Sequence, residues 1–219
     1  MVKKESSTYD RILNAATELF AYKGFKATTT REIAKSAGSS LSTLQIYFQS
    51  KENIYIEAVN RALSRQNELL QPLFLEIDAF NDTNQLNSGT AWNLIVDLVG
   101  KLVDWVFMDE ERNYVKLMRN DMMNRSPIFS SIPTQGITTH SYLKKLFCAY
   151  ANNIDDFSAS FLSLVVVTAL FEVTNYPVDM TNQIFECEMK DVSNSLKLKV
   201  HMKSYILTSI RKYLDELNA

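Results

Sequence analysis

Turn residues are scarce in this chain of 219 residues, which holds five glycines and four prolines. Sheet proteins of that length join many short strands through glycine- and proline-rich turns, so the shortage points to an all-α fold. The two cysteines, Cys148 and Cys187, fit no metal spacing and are expected to be reduced, buried thiols of a cytoplasmic protein. Only two histidines occur, His140 and His201. No HExxH, GxSxG or Cys-His signature and no glycine-rich phosphate loop is found. No catalytic residue, metal site or cofactor is therefore assigned, and the chain is not expected to be an enzyme. The acids Asp109, Glu110, Glu111, Asp155 and Asp156 stand at helix starts, where they serve caps and the helix dipole. No apolar stretch follows the opening MVKKESS, so a signal peptide is not expected. The most apolar run, FLSLVVVTALF at 161–171, is too short to span a bilayer, and a membrane partner is not expected.

What is present suits a folded globular chain, with 46% hydrophobic and 22% charged residues. The net charge of −2 hides an asymmetry. Residues 1–66 carry ten basic against six acidic side chains, net +4, which leaves thirteen against nineteen, net −6, for the rest. A basic head on an acidic body is the pattern expected when one end meets phosphate.

The basic head resolves into helices with clear ends. STYDRILNAATELFAYKG has a helical stripe at Ile12, Ala16, Leu19 and Phe20, capped by Ser7 or Thr8 and stopped by Gly24. Thr29 and Glu32 form a capping box that opens a second helix of barely two turns, ending at Ala37-Gly38. Ser39 or Ser40 caps a third, through Leu44 to about Phe48, and Ser50 caps a fourth. Helices this short survive only by packing on neighbours. Helices one and four are expected to clamp the short pair through Leu19, Phe20, Ile33, Ala34, Leu44 and Phe48. Ala34, Ala37 and Gly38 allow a close, steep crossing. The result is a helix-turn-helix, whose second helix stands proud and can enter a major groove. The hydroxyl-rich third helix suits that role, because Ser and Thr let a backbone approach phosphates and base edges.

The frame A..LF...G....T...IA..AG, with TL..YF at 43–48 and SKE at 50–52, closely resembles the N-terminal domain of TetR-family transcriptional regulators. The resemblance covers about residues 6–66, with the helix-turn-helix at 29–48; no motif match extends over 67–219. It implies that Thr30 and Arg31 meet phosphate at the start of helix two. It further implies that Ser40, Leu41, Ser42, Thr43 and Gln45 form the exposed recognition surface, and that Tyr47 and Lys51 clamp phosphate. Side-chain chemistry agrees: Gln45 can pair with adenine, Leu41 can touch a thymine methyl, and Thr43 and Tyr47 offer hydroxyls. Plainer roles also fit, with Leu41 as core one turn before Leu44, Gln45 as a solvated amide, and Arg31 as a surface charge. The chain departs from the family pattern at Ser39, where valine is usual, at Gln45, often tyrosine, and at Ile46, usually polar. Those departures make any borrowed operator sequence worthless.

Beyond residue 66 the pattern stays helical. A break or kink is expected near Pro72, a loop at 81–90, helices at 91–108 and up to Arg125, a loop at 126–136, helices at 137–152 and 157–175, a polar stretch with Pro177, and a last helix from about 192 to 217. The helix 91–108 is apolar nearly all round and belongs in the middle of the bundle. Phe161, Leu164, Val165 and Thr168 on one helix, with Tyr205, Ile206, Ile210 and Tyr213 on the last, are read as a homodimer seam. The resembled family pairs its last two main helices with a symmetry mate. Two-fold symmetry would set two recognition helices about 34–36 Å apart on DNA. Trp92, Trp105, Tyr114, Met118, Met122, Phe129, Tyr142, Phe171 and Asn175 are the candidates for a ligand cavity, each equally at home as plain core.

The expectation is therefore an all-α homodimer with a three-helix DNA-binding domain (6–66) and a larger helical ligand-binding and dimerisation domain (67–219). It would repress transcription from double-stranded operator DNA until a small apolar or amphipathic effector releases it. The alternatives are a DNA-binding protein of similar build that answers to a protein partner or organises the chromosome, and a helical ligand carrier or enzyme with a vestigial DNA domain.

Overall fold

The computed structural model describes residues 7–124, 138–173, 183–184 and 192–218. Among them all regular structure is helical: α1 Thr8–Ala27, α2 Thr30–Ser36, α3 Leu41–Phe48, α4 Lys51–Asp82, α5 Ser88–Val106, α6 Arg112–Asn124, α7 Thr138–Tyr150, α8 Asp156–Val173 and α9 Val192–Asn218, with a 3-10 turn at Asp109–Glu111. Two compact units result. One comprises Met1–Arg65 with Glu110–Gln135, the other Gln66–Asp109 with Gly136–Ala219. α4 supplies residues to both.

In the first unit the expected caps are in place. Ser7 accepts from the Asp10 amide, and Gly24, at φ +76°, interrupts α1 before a final turn that ends at Ala27. That conformation is open to glycine and costly for a residue with a Cβ. Buried Thr28 ties this end down by donating to the Gly24 carbonyl at 2.8 Å. Phe20, Phe25 and Tyr55 form an aromatic cluster with ring centres 5.0–6.0 Å apart, joining α1 to α4. α6 also packs on α1, where Asn120 donates to the Ala21 carbonyl at 2.8 Å. Arg65 grips the buried Glu111 carboxylate with its guanidinium.

Of the break or kink expected at Pro72, the break does not occur, since α4 runs through it to Asp82. Proline removes one amide donor and crowds the preceding turn, at about 3 kcal/mol. Pro72 is exposed, whereas its neighbours Leu70, Leu73, Phe74 and Ile77 are buried along one side. Burial of four such side chains, at about 1.5–3 kcal/mol each, outweighs the proline cost.

α5 is the centre of the second unit, with α7, α8 and α9 packed against it. Ile95, Leu98, Val99 and Val103 on α5 are fully buried. Asp78 joins α4 to α7 by accepting from the Tyr142 hydroxyl at 2.6 Å and the Lys145 ammonium at 2.7 Å. Burial and that carboxylate hold the Tyr142 phenol up at about 12.

Candidate nucleic-acid interface

The turn between α2 and α3 is made by local chemistry. Thr29 accepts from the Glu32 amide while the Glu32 carboxylate accepts from the Thr29 amide, closing the capping box. Gly38 takes φ +59°, and the Ser39 amide donates back to the Ala34 carbonyl at 2.9 Å. Ser40 then caps α3 by accepting from the Thr43 amide at 3.0 Å. Bonds from Lys23 and Thr29 hold the Glu32 carboxyl down at about 2, against 4.5 for the free side chain. A lowered folded-state value means the carboxylate stabilises the domain above pH 4.5 and loses that effect as pH falls toward 2. Wild type and Glu32→Gln should accordingly differ in melting temperature at neutral pH and converge in acid; a gap that persists at the acid end would remove this role.

α3 is anchored by two residues, Leu44 and Phe48, both buried. Phe48 stacks on Tyr9 of α1, ring centres 4.9 Å apart, and Tyr47 meets the Tyr9 ring edge-on at 6.0 Å. The Tyr9 hydroxyl donates to Glu57 at 3.0 Å. Tyr9 thus braces the third helix from below, a role sequence reasoning missed, although an aromatic in the first turn of an amphipathic helix was a signal for it.

The assigned DNA-binding residues divide into two groups. Arg31, Ser40, Leu41, Ser42, Gln45 and Tyr47 are exposed, and Thr30 and Thr43 are half-buried. Leu41, 43% exposed, is not core. Ser40 shares its hydroxyl with Ser42 at 2.8 Å and Thr43 at 2.7 Å, so these groups can turn from one another to a phosphate. Lys51, assigned as a phosphate clamp, is half-buried and has partners inside its own domain. Its ammonium donates to the Phe25 and Thr28 carbonyls, both at 3.0 Å, and lies 4.3 Å over the Phe25 ring. It caps the end of α1 with two of its three N–H groups, which leaves one for a phosphate.

The basic excess is likewise partly spent inside the unit. Arg61 bonds Asp10 at 2.8 Å and Asn14 at 3.2 Å, Arg65 holds Glu111, and Lys23 pairs with Glu32 at 2.8 Å. Arg31, exposed on the first turn of α2, makes no ion pair among the described residues. If it meets phosphate, Arg31→Ala should weaken binding to all sequences alike and lower the slope of log K against log salt by about one. An unchanged slope would return Arg31 to the plain surface.

The cavity candidates are scattered. Tyr114 and Met118 belong to the first unit; Trp92, Trp105, Tyr142 and Phe171 belong to the second. Phe129, Asn175 and the Met122 side chain lie outside the described residues. Tyr114 receives the Arg65 guanidinium on its ring at 5.0 Å, Met118 is core, and Tyr142 stacks on Phe74 at 4.1 Å. Trp92 lines an open surface groove with Arg211 and Asp215 rather than an interior. Trp105 is buried against Phe171, edge-on at 6.2 Å, and its indole Nε1 has no hydrogen-bond partner among the described residues. Among the described residues no cluster of His, Cys, Asp or Glu could hold a metal ion, and no helix is long and apolar enough to cross a membrane.

Of the seam candidates, Phe161, Leu164, Val165 and Thr168 lie exposed along one side of α8, continued by Phe157. On α9 the expectation needs correcting. Ile206 and Ile210 fall in line with Met202 and Leu214, four residues apart, and this whole stripe is buried in the chain's own core. Leu196, Val200, Tyr205 and Tyr213 stay exposed, spread round the helix rather than along one line. Helical spacing marks an apolar stripe in sequence but not whether the chain's own core or a second copy covers it.

Residues 12–58 match the family model for bacterial regulatory proteins of the tetR family. The HTH-type transcriptional regulator YdgC of Bacillus subtilis is 32% identical over 117 residues, 53% of this chain and 55% of that protein. The regulator QacR of Staphylococcus aureus is 44% identical over 59 residues, 27% of this chain and 31% of that one. The chain thus spans about half or less of the length of these curated relatives. In fold it is similar to a TetR-like transcriptional regulator from Rhodococcus (TM-score 0.65, 16% identity, 95% of both chains). It also resembles the FadR regulator of Bacillus subtilis solved with stearoyl-CoA (TM-score 0.60, 15% identity, 92% of this chain and 97% of that one).

Proposed function

We propose that the chain, whose residues 12–58 match the family model for bacterial regulatory proteins of the tetR family, is a member of that family and a homodimeric repressor reading operator DNA with α3. One observation carries this reading. An eight-residue helix is held by Leu44 and Phe48 alone, and Leu41, Ser42, Gln45, Ile46 and Tyr47 remain exposed on it. A helix presenting so much side chain to solvent at a tight turn is built to be covered by something, and hydroxyls, an amide and an arginine match phosphates and base edges. The exposed apolar stripe on α8 supports the second copy, since one recognition helix reads too few base pairs for specificity.

The assignment of the helical body as a ligand-binding and dimerisation domain is part of the same proposal. The buried indole N–H of Trp105, unpaired among the described residues and set against Phe171, supports an apolar or amphipathic effector carrying a hydrogen-bond acceptor. The FadR neighbour's stearoyl-CoA is a molecule of that kind. Release would be a population shift: the effector must prefer the state that does not fit DNA, and moving from 1:99 to 99:1 takes about 5.5 kcal/mol of preference. Binding-site selection on random duplex DNA, followed by a small-molecule extract added to the complex, tests both halves. Gln45→Ala should change the selected bases rather than only the affinity. An unchanged preference would deny Gln45 its base-reading part.

A further inference from the structure

We propose that Ile46 reads the operator too, by packing on the 5-methyl group of thymine in the major groove; the inference rests on the DNA-binding reading above. Ile46 is 78% exposed, far more than Leu41 on the same helix. Leu44 and Phe48 define the face that holds α3 to its domain. Ile46 is two residues from each, about 200° round the helix, and so points directly away from that domain. A helix lying in a groove sends that side deepest toward the bases.

The chemistry of the side chain limits what it can recognise there. A sec-butyl group offers no donor or acceptor, and among the features that base pairs display in the major groove only the thymine methyl is apolar. Isolated exposed aliphatic residues are common on protein surfaces. Here, however, Leu41, Ile46 and Tyr47, three of the exposed large apolar side chains, share one eight-residue helix. Ser42 and Thr43 are tied to Ser40, whereas the neighbouring Gln45 is exposed and can donate to and accept from adenine. An adenine-reading amide beside a methyl-reading isoleucine would select A·T steps.

The test uses the full chain and the duplex it enriches from random DNA, synthesised once with thymidine and once with deoxyuridine throughout. The exchange removes the methyl groups and leaves every hydrogen-bonding group of the bases in place. Wild type should bind the deoxyuridine duplex more weakly, by roughly fourfold for each methyl contacted. Ile46→Ala, at an exposed site and expected to melt like wild type, should bind both duplexes about equally. Equal binding of both duplexes by wild type would overturn the proposal. So would a methyl preference that survives Ile46→Ala and disappears in Leu41→Ala. If no sequence is enriched at all, the regulator reading itself falls, and this inference with it.

Discussion

Phe161→Glu is expected to leave each subunit folded and yet to abolish operator binding. The ring is 55% exposed within the chain, so a carboxylate there costs the monomer almost nothing. In a two-fold seam the same residue is present on both partners, and the substitution places two charges in an apolar contact. An uncompensated buried charge of this kind costs several kcal/mol per ion, enough to separate a dimer at ordinary concentrations. DNA binding would then fall to the level of one half-site, because the second contact is no longer held at high effective concentration. Sedimentation reads the result directly: wild type should run at twice the chain mass of 25.1 kDa and the variant at that mass. A variant that stays dimeric would move the seam off α8.

Phe20→Ala should be equally damaging by another route. The side chain is fully buried between Phe25 and Tyr55 and joins α1 to α4. Truncating a phenylalanine in such a site costs about 3–5 kcal/mol, in lost transfer energy and in the cavity left behind. Domains of this size have only about 5–15 kcal/mol to lose. The melting temperature should drop by many degrees, and DNA affinity should fall although Phe20 lies in the core and not on the DNA-facing surface. A change below about 1 kcal/mol in chemical denaturation would mean that the cluster collapses around the gap or is loosely packed.

Much of the fold was legible in the sequence because its ends are written in short-range chemistry. Ser7, the Thr29–Glu32 box, Ser40 and Ser50 cap the helices they were expected to cap. Leu44 and Phe48 were identifiable as anchors from helical spacing alone. Three features were not legible, and each depends on contacts distant in sequence. Pro72 stays inside α4 because apolar neighbours on the opposite side are buried. Lys51 also ties down the carbonyls of Phe25 and Thr28, 26 and 23 residues away, a role its neighbours in sequence do not show. Ile206 and Ile210 resemble interface residues because helical spacing shows an apolar stripe without showing what covers it. Ile46 was noticed only as a departure from the family pattern; its place opposite the Leu44–Phe48 pair gives it a use.

The claim that two copies of α3 reach adjacent turns of one duplex is tested most directly by the symmetry of the DNA the full chain selects. An inverted repeat is expected, with half-site centres about one helical turn, roughly 10–10.5 base pairs, apart or slightly more. A single asymmetric site, or no enrichment over random sequence, would contradict it.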